Sequence, residues 1–153
     1  MRSKTSSASQ GKSREAGADS GKPEFFTDRG LGKRVVEQLR REGWVVHAMR
    51  DLFPSSDRRR RDRFDDENWI PTVTERGYVI LSKDGFRYHH ERLAIAECGA
   101  KVFMIPNANL RTEHMVERFV TQQEEIWGRC SEPGPFLYAV HPKSLLAITL
   151  PDA

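Results

Sequence analysis

The chain has 153 residues, 37% of them hydrophobic, and a net charge of +3, which suits one domain with a full core and gives no reason for two. Its longest apolar runs, Tyr78 to Leu81 and Val102 to Ile105, fall far short of the ~18 residues that cross a bilayer, and the N-terminus carries no apolar signal core, so a soluble, cytoplasmic protein is the expectation. Cys98 and Cys130 have neither a CxxC partner nor metal-ligand spacing, which argues against a disulfide scaffold or a thiolate zinc site and for two reduced thiols.

Residues 1–22 hold Arg2, Lys4, Lys12, Arg14 and Lys22 against Glu15 and Asp19, and these account for the whole net charge. The segment is rich in Ser, Gly, Lys and Ala without a hydrophobic period, so it cannot offset the entropy of ordering and reads as a disordered basic tail. A single domain over 23–153 is expected after it.

Phe25, Phe26 and Thr27 read as a short strand ending at Asp28, with Gly30 and Gly32 permitting a tight turn. A helix follows over about 31–41, its apolar positions Leu31, Val35, Val36 and Leu39 on one face and Gly43 as its stop. Trp44 to Met49 reads as the second strand. From Asp51 to Arg63 the chain is polar, contains Pro54 and has no apolar repeat, as expected of a loop. Arg58, Arg59, Arg60, Arg61 and Arg63 surround Asp62 there, a basic strip beside an otherwise acidic body, suited either to gripping phosphates or to a solvated loop.

Acids at 65–67 and then Trp69, Ile70 and Val73 mark a second helix. Pro71 belongs in a first turn, which places the regular helix near Glu67 or Asn68, and Gly77 ends it. Tyr78 to Ser82 is a continuous apolar run ending near Asp84, the pattern of a strand covered on both faces. A third helix over about 87–98 would bury Tyr88, Leu93, Ile95 and Ala96, and Lys101 to Ile105 is the fourth strand. Alternation of strand and helix predicts a mostly parallel sheet with helices on both faces, because each parallel connection needs a crossover. One long amphipathic helix from about Arg111 to Trp127 comes next, then short strands Phe136 to Val140 and Leu145 to Leu150 that form a hairpin, joined to the main sheet or separate from it.

The chemistry rests on acids. Carboxyl ends of parallel strands share one sheet edge, where ligands bind. If the strand order is 2-1-3-4, Asp28 and Asp84 face each other there and Asp66 overhangs the same crevice. Three oxygen donors without a basic partner suit Mg²⁺ or Mn²⁺. Each acid also has a plainer reading, since an Asp after a strand is often a turn former, and Asp65, Asp66 and Glu67 could simply cap their helix. Gly30 and Gly32 do not make a dinucleotide fingerprint: the third Gly is missing, and Asp28 would repel a pyrophosphate. His89 and His90 lack the i,i+4 partner a zinc site needs and read as surface residues. Trp44, Trp69 and Trp127 read as core anchors.

The segments FFTDRGLG, DDENWI and VILSKD, in that order, resemble the PIN-like nuclease domains, especially bacterial toxins of the VapC type. The resemblance covers about residues 24–107 and, more loosely, the C-terminal helix and hairpin at 111–150. It implies a three-layer α/β/α PIN-like domain and metal-dependent hydrolysis of RNA, inhibited by a cognate antitoxin protein. Catalytic and metal-binding roles fall on Asp28, Asp66 and Asp84, with Glu67 as a supporting candidate. Where the family often has a further acid, this chain reads Ile105 to Asn109, so Asn107 is the candidate neutral ligand. Arg29, Lys33, Lys83 and Arg58, Arg59, Arg60 and Arg61 are the candidates for holding RNA phosphates. Two other functions stay open: a PIN-like module that binds RNA or a partner without cleaving, and, more weakly, a phosphotransfer domain with Asp28 as nucleophile, for which no DxD is present. A homodimer is also left open.

Because residues 1–22 have no apolar anchor, their deletion is expected to leave the melting temperature unchanged. Thermal melts of the shortened and full chains check this, and a large drop would mean that the tail docks.

Overall fold

The structure is a computed structural model that describes residues 22–52, 66–83, 85–107 and 109–152, with only the backbone for 66–68. Its elements are β1 (Glu24–Thr27), a 3-10 turn (Arg29–Leu31), α1 (Lys33–Arg41), β2 (Val45–Ala48), the one-turn helix α2 (Met49–Leu52) and α3 (Asp66–Glu75). There follow β3 (Val79–Lys83), α4 (His89–Cys98), β4 (Lys101–Ile105), α5 (Thr112–Thr121), α6 (Gln123–Cys130), β5 (Phe136–Val140) and β6 (Leu145–Ala147). One sheet holds all six strands in the order β2-β1-β3-β4-β5-β6. Every pairing is parallel except β5 with β6. The expected order 2-1-3-4 and the mostly parallel sheet are both present, and the C-terminal hairpin extends that sheet.

Side chains alternate across the strands and feed two separate cores. Phe25, Val46, Val79, Leu81, Phe103 and Ile105 face α1, α5 and α6. Phe26, Ile80, Val102, Met104 and Leu137 face α2, α3 and α4. This is the three-layer arrangement, and packing rather than propensity holds its helices. In α1 the β-branched Val35 and Val36 cost a few tenths of a kcal/mol each in helix propensity. Both are buried, at 0% and 4% exposure, and such burial is worth ~1.5–3 kcal/mol per side chain. Trp44 and Trp69 are core residues at 2% and 3% exposure. Trp44 lies 4.8 Å from the Phe25 ring, with Phe119 and Trp127 each 6.0 Å away, and its indole N–H donates to Gln123 Oε1 at 2.9 Å.

Several boundaries differ from the sequence reading. The first helix begins at Lys33, because Arg29–Leu31 form a separate 3-10 turn. α3 begins at Asp66, so Pro71 stands in its second turn, where the missing N–H leaves the carbonyl of Glu67 without its helical donor. Tyr88 is not buried. It is the N-cap of α4 and 61% exposed, and its backbone N–H donates to the Glu91 carboxylate at 3.1 Å.

The predicted single helix over 111–127 is two helices, broken at Gln122. Its backbone leaves the helical range, at φ −104° and ψ 20°. Its side chain is buried, and its amide donates to the carbonyl of His141 and, at 3.0 Å, to that of Ser144. A polar side chain inside the core must find partners, and here they lie in the β5–β6 turn. Gln122→Ala removes both bonds and leaves a half-buried carbonyl unpaired, at an expected cost of about 1–2 kcal/mol. Denaturant unfolding of the variant beside wild type measures it, with a lower midpoint and an unchanged slope expected.

Candidate active site at the carboxyl ends of the strands

β1 pairs with β3 in the register Thr27↔Leu81, which sets residue 28 beside residue 82. The Ser82 hydroxyl donates to Asp28 Oδ2 at 2.9 Å, joining positions 54 residues apart. The other carboxylate oxygen accepts from the Gly30 N–H at 3.0 Å and caps the 3-10 turn. A Cβ at Gly30 would stand 3.3 Å from Asp28 Oδ1, so glycine lets the turn close this tightly. Asp28 is therefore a turn former with one oxygen and a bridge to the neighbouring strand with the other.

Electrostatics at Asp28 are a contest between burial and hydrogen bonding. Burial pushes its carboxyl above the usual range, while the Ser82 hydroxyl, the Gly30 and Leu31 N–H groups and the Lys83 charge pull it down, and burial prevails. The ionised form is thus held at a cost that a nearby cation would offset.

The chain just past β3 is held closely as well. A Cβ at Gly85 would meet Ser82 Oγ at 3.1 Å. Phe86 is 1% exposed with φ +63°, a left-handed conformation that costs a non-glycine residue roughly 1–2 kcal/mol. Arg92 Nε donates to its carbonyl at 2.6 Å. Burial of the ring and this bond hold the residue there.

Asp28 also lines a cavity of about 270 Å³ between the start of α1 and the end of β2, with Thr27, Arg29, Gly32 and Arg50 among its walls. Asp66 and Glu67 open α3, but only their backbone is described. Asp84 and Arg58, Arg59, Arg60 and Arg61 lie outside the described residues. Lys83, the last residue of β3, is half-buried. Arg29 and Lys33 are exposed, Arg29 on the cavity wall and Lys33 away from it. Asn107 is exposed, and its side-chain oxygen accepts from the Asn109 N–H at 2.8 Å. Among the described residues no three His, Cys, Asp or Glu side chains come together as a metal-binding group. Ser82, Thr27 and Arg50 were not singled out from the sequence. Ser82 stands in the SKD segment, and its alternation with Ile80 could have pointed to it, whereas nothing local marks Thr27 or Arg50.

Residues 23–107, from just before β1 to just after β4, match the family model described as "PIN like domain". The chain belongs to the PIN-like domain family. Among curated proteins it is 30% identical, over 127 residues, to "Putative ribonuclease VapC45" of Mycobacterium tuberculosis strain H37Rv, with 81% of this chain and 90% of that protein covered. No solved structure is a significant match. The PIN-like segment contains Asp28, Asp66, Asp84 and Asn107, and it ends before the α5–α6 break.

The raised carboxyl at position 28 gives a stability test. A raised folded-state value means that the folded form is favoured while the group is protonated, and that this contribution is lost as pH rises through the folded-state value. Asp28→Asn removes the charge, and its amide can donate to Ser82 Oγ while its oxygen keeps the Gly30 bond. In metal-free buffer the variant is expected to melt above wild type at pH 7, with the gap narrowing as pH falls through the raised folded-state value and closing by the ordinary Asp value of 3.8. Thermal melts of both proteins across that range check the sign.

Proposed function

We propose that the protein is a metal-dependent endoribonuclease, the toxin of a toxin–antitoxin pair, with Asp28, Asp66 and Asp84 as its catalytic, metal-holding carboxylates. The observation that carries this is the Asp28 carboxylate. It is desolvated at the carboxyl end of β1 and tied by Ser82 to the strand that runs directly into Asp84. A hard oxygen donor of this kind fits Mg²⁺ or Mn²⁺. Family membership and the ribonuclease name of the relative support the reaction class, and that name also supports an antitoxin protein as partner.

When bound, such a cation would polarise water and offset charge on the scissile phosphate. The chain's own contribution is positioning. Ser82 and the Gly30 N–H fix the direction of the Asp28 carboxylate, and the lysine at position 83 adds positive charge beside it. Arg29 stands on the cavity wall next to the acid, where its guanidinium can hold RNA phosphate. Arg58 to Arg61 would extend that grip.

A second reading, a PIN-like module that binds RNA or a partner without cutting, draws on Asn107. Its oxygen is engaged in its own turn, and a neutral amide binds a divalent cation more weakly than the acid the family often has.

The two readings part on metal dependence. Wild type is expected to gain melting temperature with Mn²⁺ and to cleave members of a structured RNA panel. Asp28→Asn and Asp84→Asn should stay folded and lose cleavage by at least a hundredfold, and Asp66→Asn should lose more activity than Asp65→Asn. Wild type that shows neither a metal-dependent shift nor cleavage would give the function to the binding module.

A further inference from the structure

The two edge strands of the sheet are treated differently. At β2, Arg40 donates to the carbonyl of Val46 through Nε at 3.1 Å and through Nη2 at 2.6 Å. A charged side chain of this kind discourages an edge strand from pairing with another chain. β6 forms the other edge and carries no charged residue of its own. It consists of Leu145, Leu146 and Ala147, the last two exposed, and the sequence continues uncharged through Ile148, Thr149 and Leu150.

The β5–β6 register fixes which backbone groups of this edge are open. The His141 N–H donates to the Ser144 carbonyl at 2.9 Å, the Ile148 N–H donates to the Leu137 carbonyl at 2.8 Å, and Leu146 lies opposite Ala139 between them. Residues of an antiparallel strand alternate in this respect. Ser144, Leu146 and Ile148 therefore turn their N–H and C=O groups into the sheet, and Leu145 and Ala147 turn theirs to the open edge. Leu146 is 59% exposed, high for a large aliphatic side chain. It shares a face of the strand with Ile148, which lines an adjoining cavity of about 420 Å³ together with Ala96, Leu137 and Leu150.

From the open, uncharged edge of β6 and the opposite charges that flank it, we propose that β6 pairs antiparallel with β6 of a second copy of this chain. Lys143 precedes the apolar run and Asp152 follows it, both exposed. Setting Ala147 opposite Ala147 of the second copy joins the outward backbone groups of both strands and places Leu146 against Ile148 of that copy. The same alignment brings Lys143 within one residue of Asp152 of the second copy, at both ends of the contact. Parallel pairing would set Lys143 beside Lys143 and Asp152 beside Asp152, and like charges across strands repel. The antiparallel dimer has one sheet continuous across both copies, with the two carboxyl edges at opposite ends, so each Asp28 stays open to its own substrate. The proposal does not rest on the nuclease reading.

Sedimentation velocity of the full chain tests this from about 5 to about 200 μM, where a small strand-edge interface is expected to dissociate. Wild type is expected to pass from monomer to dimer across that range. Ala147→Pro removes an outward N–H that the β5 ladder does not use, and Leu146→Lys places a charge in the contact. Each is expected to weaken dimerisation roughly tenfold, with the melting temperature of the dilute protein unchanged. Lys143→Asp and Asp152→Lys are each expected to weaken it about threefold at low salt. The double variant with both changes is expected to restore the dimer, because exchanged charges attract again only if the two ends meet across copies. A chain that stays monomeric throughout would overturn the proposal. So would a dimer that Ala147→Pro and Leu146→Lys both leave intact, or a charge exchange that fails to restore what the single reversals lose.

Discussion

Parallel pairing of β1 with β3 is the constraint on which the site depends. Parallel strands cannot be joined by a tight turn, so between β1 and β3 the chain passes through α1 on one face of the sheet, then β2, then α2 and α3 on the other face. The register then brings Asp28 against Ser82, across 54 residues of chain. A slip of one residue would turn Ser82 to the other face and break the bridge, while also exposing Ile80 to the wrong core. The apolar side chains that fix the register for packing therefore fix the carboxylate as well.

Two costs are concentrated at this edge. Burial disfavours the charge on Asp28, and the Thr27 hydroxyl beside it has no partner among the described residues. Neither cost is repaid within the described residues, whereas the backbone strain at Phe86 is held in place by ring burial and by Arg92. A domain is stable by only ~5–15 kcal/mol, so unrelieved costs of this kind are informative where they cluster. Here two of them lie at one strand end, and a cation is the chemical species that would relieve the cost at Asp28.

At the opposite edge of the sheet, beside β5 and β6, a buried polar group is treated in the opposite way. Gln122 interrupts the α5–α6 segment and spends its amide on the carbonyls of the β5–β6 turn. Its partners belong to the protein, so the residue secures the junction between the last helices and the final hairpin. Among the described residues the buried Gln122 amide is thus paired, whereas the Thr27 hydroxyl and the Trp127 indole N–H are not.

Much of the architecture was legible in the sequence because it follows from local periodicity. Alternating apolar residues and helical stripes marked the strands and helices, and the short apolar run ending at Asp28 announced both a strand and its carboxyl end. The crossover rule then made the mostly parallel sheet accessible without coordinates, while the neighbouring of β1 and β3 entered only as a condition. Local signals could not decide whether Asp28 only closes its turn or also reaches another strand, because Ser82 is distant in the chain. They could not mark Thr27 or Arg50, whose place on one cavity wall exists only once β2 and α1 are docked on β1. The break at Gln122 escaped for the same reason: an amphipathic stripe continues through it, and the carbonyls that draw the side chain inward are supplied by a turn about twenty residues later. Periodicity reports which face a residue takes, whereas burial, desolvation and the partners of a polar group belong to the surroundings that only the folded chain assembles.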